Sequence, residues 1–241
     1  MGTFDLTPAP TTAPTRLILH LSGDYGTGKT HFSLTAPEPI IYCNIDRGTE
    51  GVVEKFASTK EIHIANPIIP SDSTQAEYWQ IWTEFKEFWR ETCAKTEGTV
   101  VLDTLTILTE LSKNAHFGKA LEIPPNKAYV WQEPLREMVR EIHDSTMNAV
   151  FIQRRGDVWG SVPDAQGRKP TDVRGFSAMP YEAQASVVLY RNDDAPDDST
   201  RFYGHIEKCR HNMQLMGKVF PDPSLGLMNL DLNQLRAVVH G

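Results

Sequence analysis

Gly23-Asp24-Tyr25-Gly26-Thr27-Gly28-Lys29-Thr30 follows the apolar run Leu17 to Leu21, and a Gly-x-x-x-x-Gly-Lys-Thr octet in that place reads as a phosphate-binding loop. Glycines let the backbone curl round an anion, successive N–H groups point inward, and the helix that follows adds the positive end of its dipole. On this reading residues Gly23 to Thr30 cradle a nucleoside triphosphate. Lys29 reaches the β and γ phosphates, and Thr30 places its hydroxyl on Mg²⁺. Tyr25 offers a ring to a purine, adenine or guanine alike.

Outward from the octet, Leu17 to Ser22 reads as the strand that feeds the loop and Lys29 to Ala36 as its helix, stopped by Pro37 and Pro39. Ile40 to Ile45, Glu61 to Ala65 and Thr99 to Asp103 are short apolar runs of the kind that buried parallel strands show. Within Thr74 to Thr92, Tyr78, Trp82, Phe85 and Trp89 recur at steps of four, three and four, which is one face of a helix and reads as an aromatic core stripe. Glu133 to Asp144 reads as another helix, with Pro134 in its first turn and Leu135, Met138, Val139 and Ile142 along one side. Ala149 to Gln153 is a fifth strand, and Ala185 to Arg191 and Phe202 to Arg210 are two more, separated by the acidic turn Asn192 to Ser199. Arg154 to Ser177 is too long and polar for a simple connector and is expected to be a functional loop.

At 241 residues and 40% hydrophobic, the chain is expected to form one α/β domain from residue 16 to 241, preceded by an extended Pro- and Thr-rich tail over residues 1–15 with Phe4 as its one aromatic. No apolar stretch approaches the roughly eighteen residues that cross a bilayer, and a signal-peptide pattern is lacking, so a soluble, cytoplasmic protein with no membrane partner is the expectation. Cys43, Cys93 and Cys209 show neither metal-ligand nor redox spacing and read as reduced thiols, and zinc is not expected. A net charge of −7 argues against general, salt-driven attraction to nucleic acid over the whole surface and leaves a local basic loop as the route to it.

Val100-Val101-Leu102-Asp103 ends a buried strand in a carboxylate, the way a sheet presents an acid beside a phosphate loop, and Asp103 should hold Mg²⁺ through its water shell. The interval from Lys29 to Asp103 leaves room for two further strands with their crossovers. That fits the additional-strand class of NTPases, which hydrolyse ATP with a glutamate-polarised water; simple nucleotide kinases usually reach their acid sooner. Lys208 and Arg210 stand two apart on a strand, so both side chains leave one face and act as a unit.

Thr99-Val-Val-Leu-Asp-Thr-Leu-Thr-Ile-Leu108 resembles the Walker B segment of the RecA-like recombinases, and Ala149-Val-Phe-Ile-Gln-Arg-Arg155 resembles their next strand. Tyr181 to Tyr190 is similar to the helix and strand that follow their second DNA loop, and Ile206-Glu-Lys-Cys-Arg210 is similar to their Lys-x-Arg strand. The likeness covers most of Arg16 to Pro221 and is nearest the compact phage-encoded group, the Sak-four single-strand annealing proteins and phage AAA-type NTP-binding proteins. It implies an α/β, RecA-like P-loop core with a mostly parallel central sheet flanked by helices, and ATP and Mg²⁺ as cofactors. It implies Gln153 as the γ-phosphate sensor, and Lys208 and Arg210 as a finger reaching a neighbouring subunit's phosphate. Glu77 best matches the family's water-activating glutamate, with Glu50 in the loop after the second strand as its rival. In related recombinases a tail phenylalanine docks on the next subunit, a role open to Phe4.

Arg154, Arg155, Arg168, Lys169 and Arg174, interleaved with Trp159 and Phe176, make the long loop locally basic in an acidic chain. Arginines meet phosphates while rings stack on bases, which suits single-stranded DNA without sequence preference. Lys113, His116, Phe117 and Lys119 stand where the family has its first DNA loop, a weaker signal. The expected function is an ATPase of DNA recombination, stimulated by DNA, that binds single-stranded DNA as a homo-oligomeric ring or filament and promotes annealing or pairing, in a phage-infected bacterial host and with a single-strand binding protein as a further partner. The alternatives are a motor, helicase-loader or packaging ATPase acting on a protein partner, a small-molecule phosphotransferase with the Arg-rich loop as its lid, and a nucleotide-gated module with negligible turnover.

Overall fold

The apolar runs pair side by side, and those in the middle of the sheet hide both faces, which an interior parallel sheet covered by helices allows, while Ile62–Ala65 at the edge stays partly exposed. In the computed structural model, residues 16–120, 123–158, 161–162, 170–196, 199–228 and 230 are described. The strands are β1 (Ile18–Gly23), β2 (Ile40–Asn44), β3 (Ile62–Ala65), β4 (Thr99–Asp103), β5 (Asn148–Asp157), β6 (Thr171–Val173), β7 (Ala185–Arg191), β8 (Phe202–Cys209) and β9 (Val219–Pro221). The helices are α1 (Lys29–Ser33), α2 (Gln75–Cys93), α3 (Leu105–Phe117), α4 (Ala128–Asp144) and α5 (Met179–Glu182).

The sheet runs β3-β2-β4-β5-β1-β7-β8-β9. Its pairings are parallel from β3 to β7 and antiparallel from there to β9. A mostly parallel α/β sheet flanked by helices is therefore what the chain forms. The order also has β5 between β1, which carries the glycine loop, and β4, which ends in Asp103. The two strands for which the Lys29 to Asp103 interval leaves room are β2 and β3.

Alternation along the strands divides the core. Ile18, Val100, Leu102, Ala149 and Phe151 pack with α2, α3 and α4, while Leu19, Leu21, Val101, Val150 and Ile152 pack with Phe32 of α1 and with the segment from Leu215 to Leu230. The stripe Tyr78, Trp82, Phe85 and Trp89 is fully inside, as its period requires.

Of the boundaries that differ from the sequence reading, two change the architecture. Helix α4 starts at Ala128, not Glu133, because Trp131 is buried and extends the stripe one turn upstream of Leu135. Pro134 thus lies inside the helix and withholds a hydrogen bond from the carbonyl of Val130. Strand β5 runs on to Asp157 and pairs antiparallel with β6, so the long loop begins and ends as a hairpin with Arg155 opposite Val173 and Asp157 opposite Thr171. No helix among the described residues is long and apolar enough to cross a membrane.

Candidate functional site

Two glycines of the loop have conformations that a side chain resists: Gly26 has φ 72° and Gly28 φ 85°. Gly23 is required for room, since a Cβ there would lie 2.4 Å from Leu189 O and 2.7 Å from Thr27 Oγ1. Lys29 Nζ donates to Asp24 O at 2.6 Å and Thr27 Oγ1 donates to the same carbonyl at 2.9 Å, which closes the loop on itself. Burial pushes the Lys29 ammonium below its ordinary pKa, against the opposing pull of Asp103, Asp46 and Asp24. Helix α1 spans five residues, shorter than expected, so the anion cradle is chiefly the loop's own N–H groups.

Asp103 is 3% exposed at the end of β4. Its Oδ2 accepts from Tyr42 Oη at 2.6 Å and from Thr30 Oγ1 at 3.3 Å. Burial first, and then the nearby Asp46, push this carboxyl up to about 6, while the Tyr42 hydrogen bond, Lys29 and Thr30 hold it down. A hydroxyl and a carboxylate converging this closely are the hard oxygen donors Mg²⁺ takes, the remaining positions falling to water and phosphate. Among the described residues no three His, Cys, Asp or Glu side chains form a metal cage.

A second acid, absent from the sequence reading, stands beside it. The N–H groups of Ile45 and Asp46 both donate to Asp103 O, at 2.6 and 3.1 Å, which fixes Asp46 where β2 leaves the sheet next to β4. Its Oδ1 accepts from Gly48 N at 3.1 Å and its Oδ2 from Arg154 Nη2 at 3.1 Å. Asp46 acts electrostatically on both Asp103 and Lys29. The signal for it was the one that found Asp103, an acid directly after an apolar strand. Glu77, by contrast, caps α2: Thr74 N donates to its Oε2 at 2.6 Å and its own N–H donates to Thr74 Oγ1 at 3.3 Å, a capping box. That carboxylate is exposed, and so is Glu50 in the turn after β2.

Gln153 is fully buried, level with Ser22 of β1 and one residue past Ile152, which faces Asp103. Its Nε2 donates to Arg174 O at 2.9 Å and Phe176 O at 3.3 Å, so it grips the returning arm of the hairpin. The basic loop is only partly free for DNA. Phe176 is 1% exposed and sits in the core among α3 and α4, which withdraws it from any stacking surface. Arg155 is largely covered, donating to Thr171 O at 2.7 Å, Thr171 Oγ1 at 3.1 Å and Ser22 Oγ at 3.3 Å. Arg154 is half exposed while paired with Asp46, and Arg174 is exposed across Gly156. Trp159, Arg168 and Lys169 lie outside the described residues, as does Phe4. In the weaker candidate region, Lys113 stacks over the Trp131 ring at 4.4 Å, His116 bonds Ser112 O, Phe117 packs on the core, and Lys119 reaches Ser71 O.

Lys208 and Arg210 do act as one unit, on a target within their own chain. Lys208 Nζ donates to the carbonyls of Pro180, Tyr181 and Ala183 at 2.8, 2.7 and 2.7 Å, and Arg210 Nη2 donates to Tyr181 O at 2.6 Å. Lys208 faces Ser186, three residues below Leu189, which is level with Gly23. Three residues along and two strands across put the two backbones about 14 Å apart, beyond a lysine's reach. Within one chain the pair does not meet the phosphate loop.

Beside the loop opens a cavity of about 370 Å³, lined by Gly28, His31, Val52, Lys55, Phe202 and Pro223. Tyr25 stands wholly exposed at the apex. No protein-family model matches the chain, and no curated protein is similar to it. Among solved structures it is similar to a KaiC-like protein of the hyperthermophilic archaeon Pyrococcus horikoshii OT3, at 13% identity over 87% of this chain and 86% of that one, with a TM-score of 0.44.

Proposed function

We propose that the chain is a RecA-like P-loop ATPase that binds ATP with Mg²⁺, assembles with further copies of itself, and grips single-stranded DNA to promote annealing or pairing. The observation that carries the reading is β5: it stands between the loop strand and the Asp103 strand, and from its interior Gln153 is bonded to the returning arm of the hairpin that holds the candidate DNA residues. A change of phosphate occupancy beside Ser22 and Asp103 is thereby one side chain away from the hairpin.

The chemistry follows from the donor set. Thr30 and Asp103 would hold Mg²⁺, which would supply charge neutralisation to the phosphate oxygens of the nucleotide. Lys29 leaves Asp24 O for those oxygens. Asp46 accepts a proton from the water that attacks the γ phosphorus; the bond to the β-γ bridging oxygen breaks and ADP and phosphate leave. Arg154 competes for Asp46, so a DNA phosphate that draws Arg154 away would free the base, and stimulation by DNA is the expected consequence. Lys208 and Arg210, out of reach in their own chain, serve a neighbour's nucleotide.

ATP turnover measured with and without single-stranded DNA tests the proposal: stimulation supports it, and an ATPase indifferent to DNA at low salt ends the DNA reading. The burial of Phe176 and Arg155, together with the net charge of −7, favours a second reading, an ATPase that acts on a protein partner, as a motor, loader or packaging enzyme does.

A further inference from the structure

A histidine in the middle of a buried strand must find partners for two ring nitrogens or bear the desolvation cost of each left unpaired. His20 is the third residue of β1, fully buried, on the same sheet face as Ile18 and Ser22. On one side it faces Ser186 of β7, and its Nδ1 lies 2.8 Å from Ser186 Oγ. On the other side it faces Phe151, with Gln153 next along that face of β5.

His20 Nε2 and Gln153 Oε1 are both buried without a partner at ordinary hydrogen-bond geometry. The two side chains are nevertheless near enough for the Gln153 carboxamide to favour a protonated ring. Each orphan supplies what the other lacks, and one tautomer satisfies both: Nδ1 accepts from the Ser186 hydroxyl and Nε2–H donates to Gln153 Oε1. Burial, with Arg155 and Lys208 nearby, holds His20 down at about 3, so the ring is neutral at physiological pH and such a tautomer is well defined.

Gln153 Nε2 is already directed at Arg174 O and Phe176 O. An oxygen left free would let the carboxamide turn about its terminal bond; an oxygen held by His20 would not. Ser186 is in turn the cross-strand partner of Lys208.

We infer that His20 is a positioning residue for Gln153, fixing the carboxamide from the oxygen side and tying it through Ser186 to the strand that bears Lys208. The sensor beside one nucleotide and the basic pair offered to the next are then set by one buried line of hydrogen bonds across β5, β1 and β7. The inference rests on the ATPase reading for its consequence and on geometry alone for its structure.

Nitrogen-15 NMR of the histidine rings tests the geometry without reference to activity: a neutral Nε2–H ring for His20 is expected, and a Nδ1–H ring overturns the proposal. Two isosteres test the consequence. In His20→Gln the new amide nitrogen overlies Nε2 and keeps the bond to Gln153, whereas in His20→Asn it overlies Nδ1 and keeps only Ser186.

The ATP turnover number should stay within about threefold of wild type in His20→Gln and fall about tenfold in His20→Asn, with KM unchanged in both, as the loss of one neutral hydrogen bond in the transition state requires. Thermal melts confirm that both variants fold. Equal turnover in the two variants overturns the proposal. If the wild-type chain hydrolyses no ATP, the ATPase reading fails, and the tautomer alone decides whether His20 positions Gln153.

Discussion

The phosphate loop and the β5–β6 hairpin were both marked in the sequence as functional, and they met different fates on folding. In the loop, the decisive features are backbone ones: Gly26 and Gly28 at positive φ, Gly23 without room for a Cβ, and Lys29 next in line. In the hairpin, the expectation rested on side-chain composition, and packing redistributed it. Phe176 went into the core, Arg155 was enclosed by Thr171 and Ser22, and Arg154 turned to Asp46. A motif that is a backbone shape is decided by neighbours in sequence. A surface that is a set of side chains is decided by whatever else needs burying or pairing.

The sharpest way to break this contrast is at the loop. Lys29→Ala should lower ATP turnover by about a thousandfold by removing the charge placed on the β and γ phosphates, read in a steady-state phosphate-release assay. Activity within tenfold of wild type would mean the loop is a structural turn. At the hairpin the expected loss is of a different kind. Phe176→Ala should cost about 3 to 4 kcal/mol of stability in denaturant titration, the usual price of truncating a buried phenylalanine. An unchanged stability with weakened DNA binding would restore Phe176 to the DNA surface.

A second comparison sets two carboxylates against each other. Asp46→Asn should reduce turnover about a hundredfold, as the loss of a general base does. Glu77→Ala should leave turnover intact and lower the melting temperature through loss of the capping box. The reverse pattern in the same assay would return the catalytic role to Glu77.

His20 adds a pH signature. Its folded pKa of about 3 is depressed below the ordinary histidine value, so on acidification the unfolded chain takes up a proton that the folded chain refuses. Its stabilising contribution is complete above about pH 6.5 and is lost as pH falls toward 3, roughly 2 kcal/mol of it between pH 7 and pH 5. His20→Gln should flatten the fall in stability over that window; an identical pH dependence would place a titrating partner elsewhere.

The smallest effect is expected at the half-exposed Arg154. Arg154→Ala should raise basal ATP turnover about threefold and abolish stimulation by single-stranded DNA, because a surface ion pair holds Asp46 by less than about 1 kcal/mol. A fall in basal turnover would show that Arg154 supports the site and does not restrain it.

By itself the sequence determined the α/β class, the strand runs, the aromatic stripe of α2, the glycine loop and the acid at the end of β4. Each of these is a short-range pattern, a period of burial or a backbone requirement, and short-range patterns survive whatever the rest of the chain does. Tertiary structure decided the rest. It brought Asp46 to Asp103 through the β2–β4 register, spent Glu77 on a helix cap and buried Phe176. It also set Lys208 and Arg210 against the carbonyls at α5 and aligned His20 with Gln153 and Ser186 across three strands. Those outcomes depend on which strand lies beside which, and a strand's sequence specifies that it will pair without carrying the name of its neighbour.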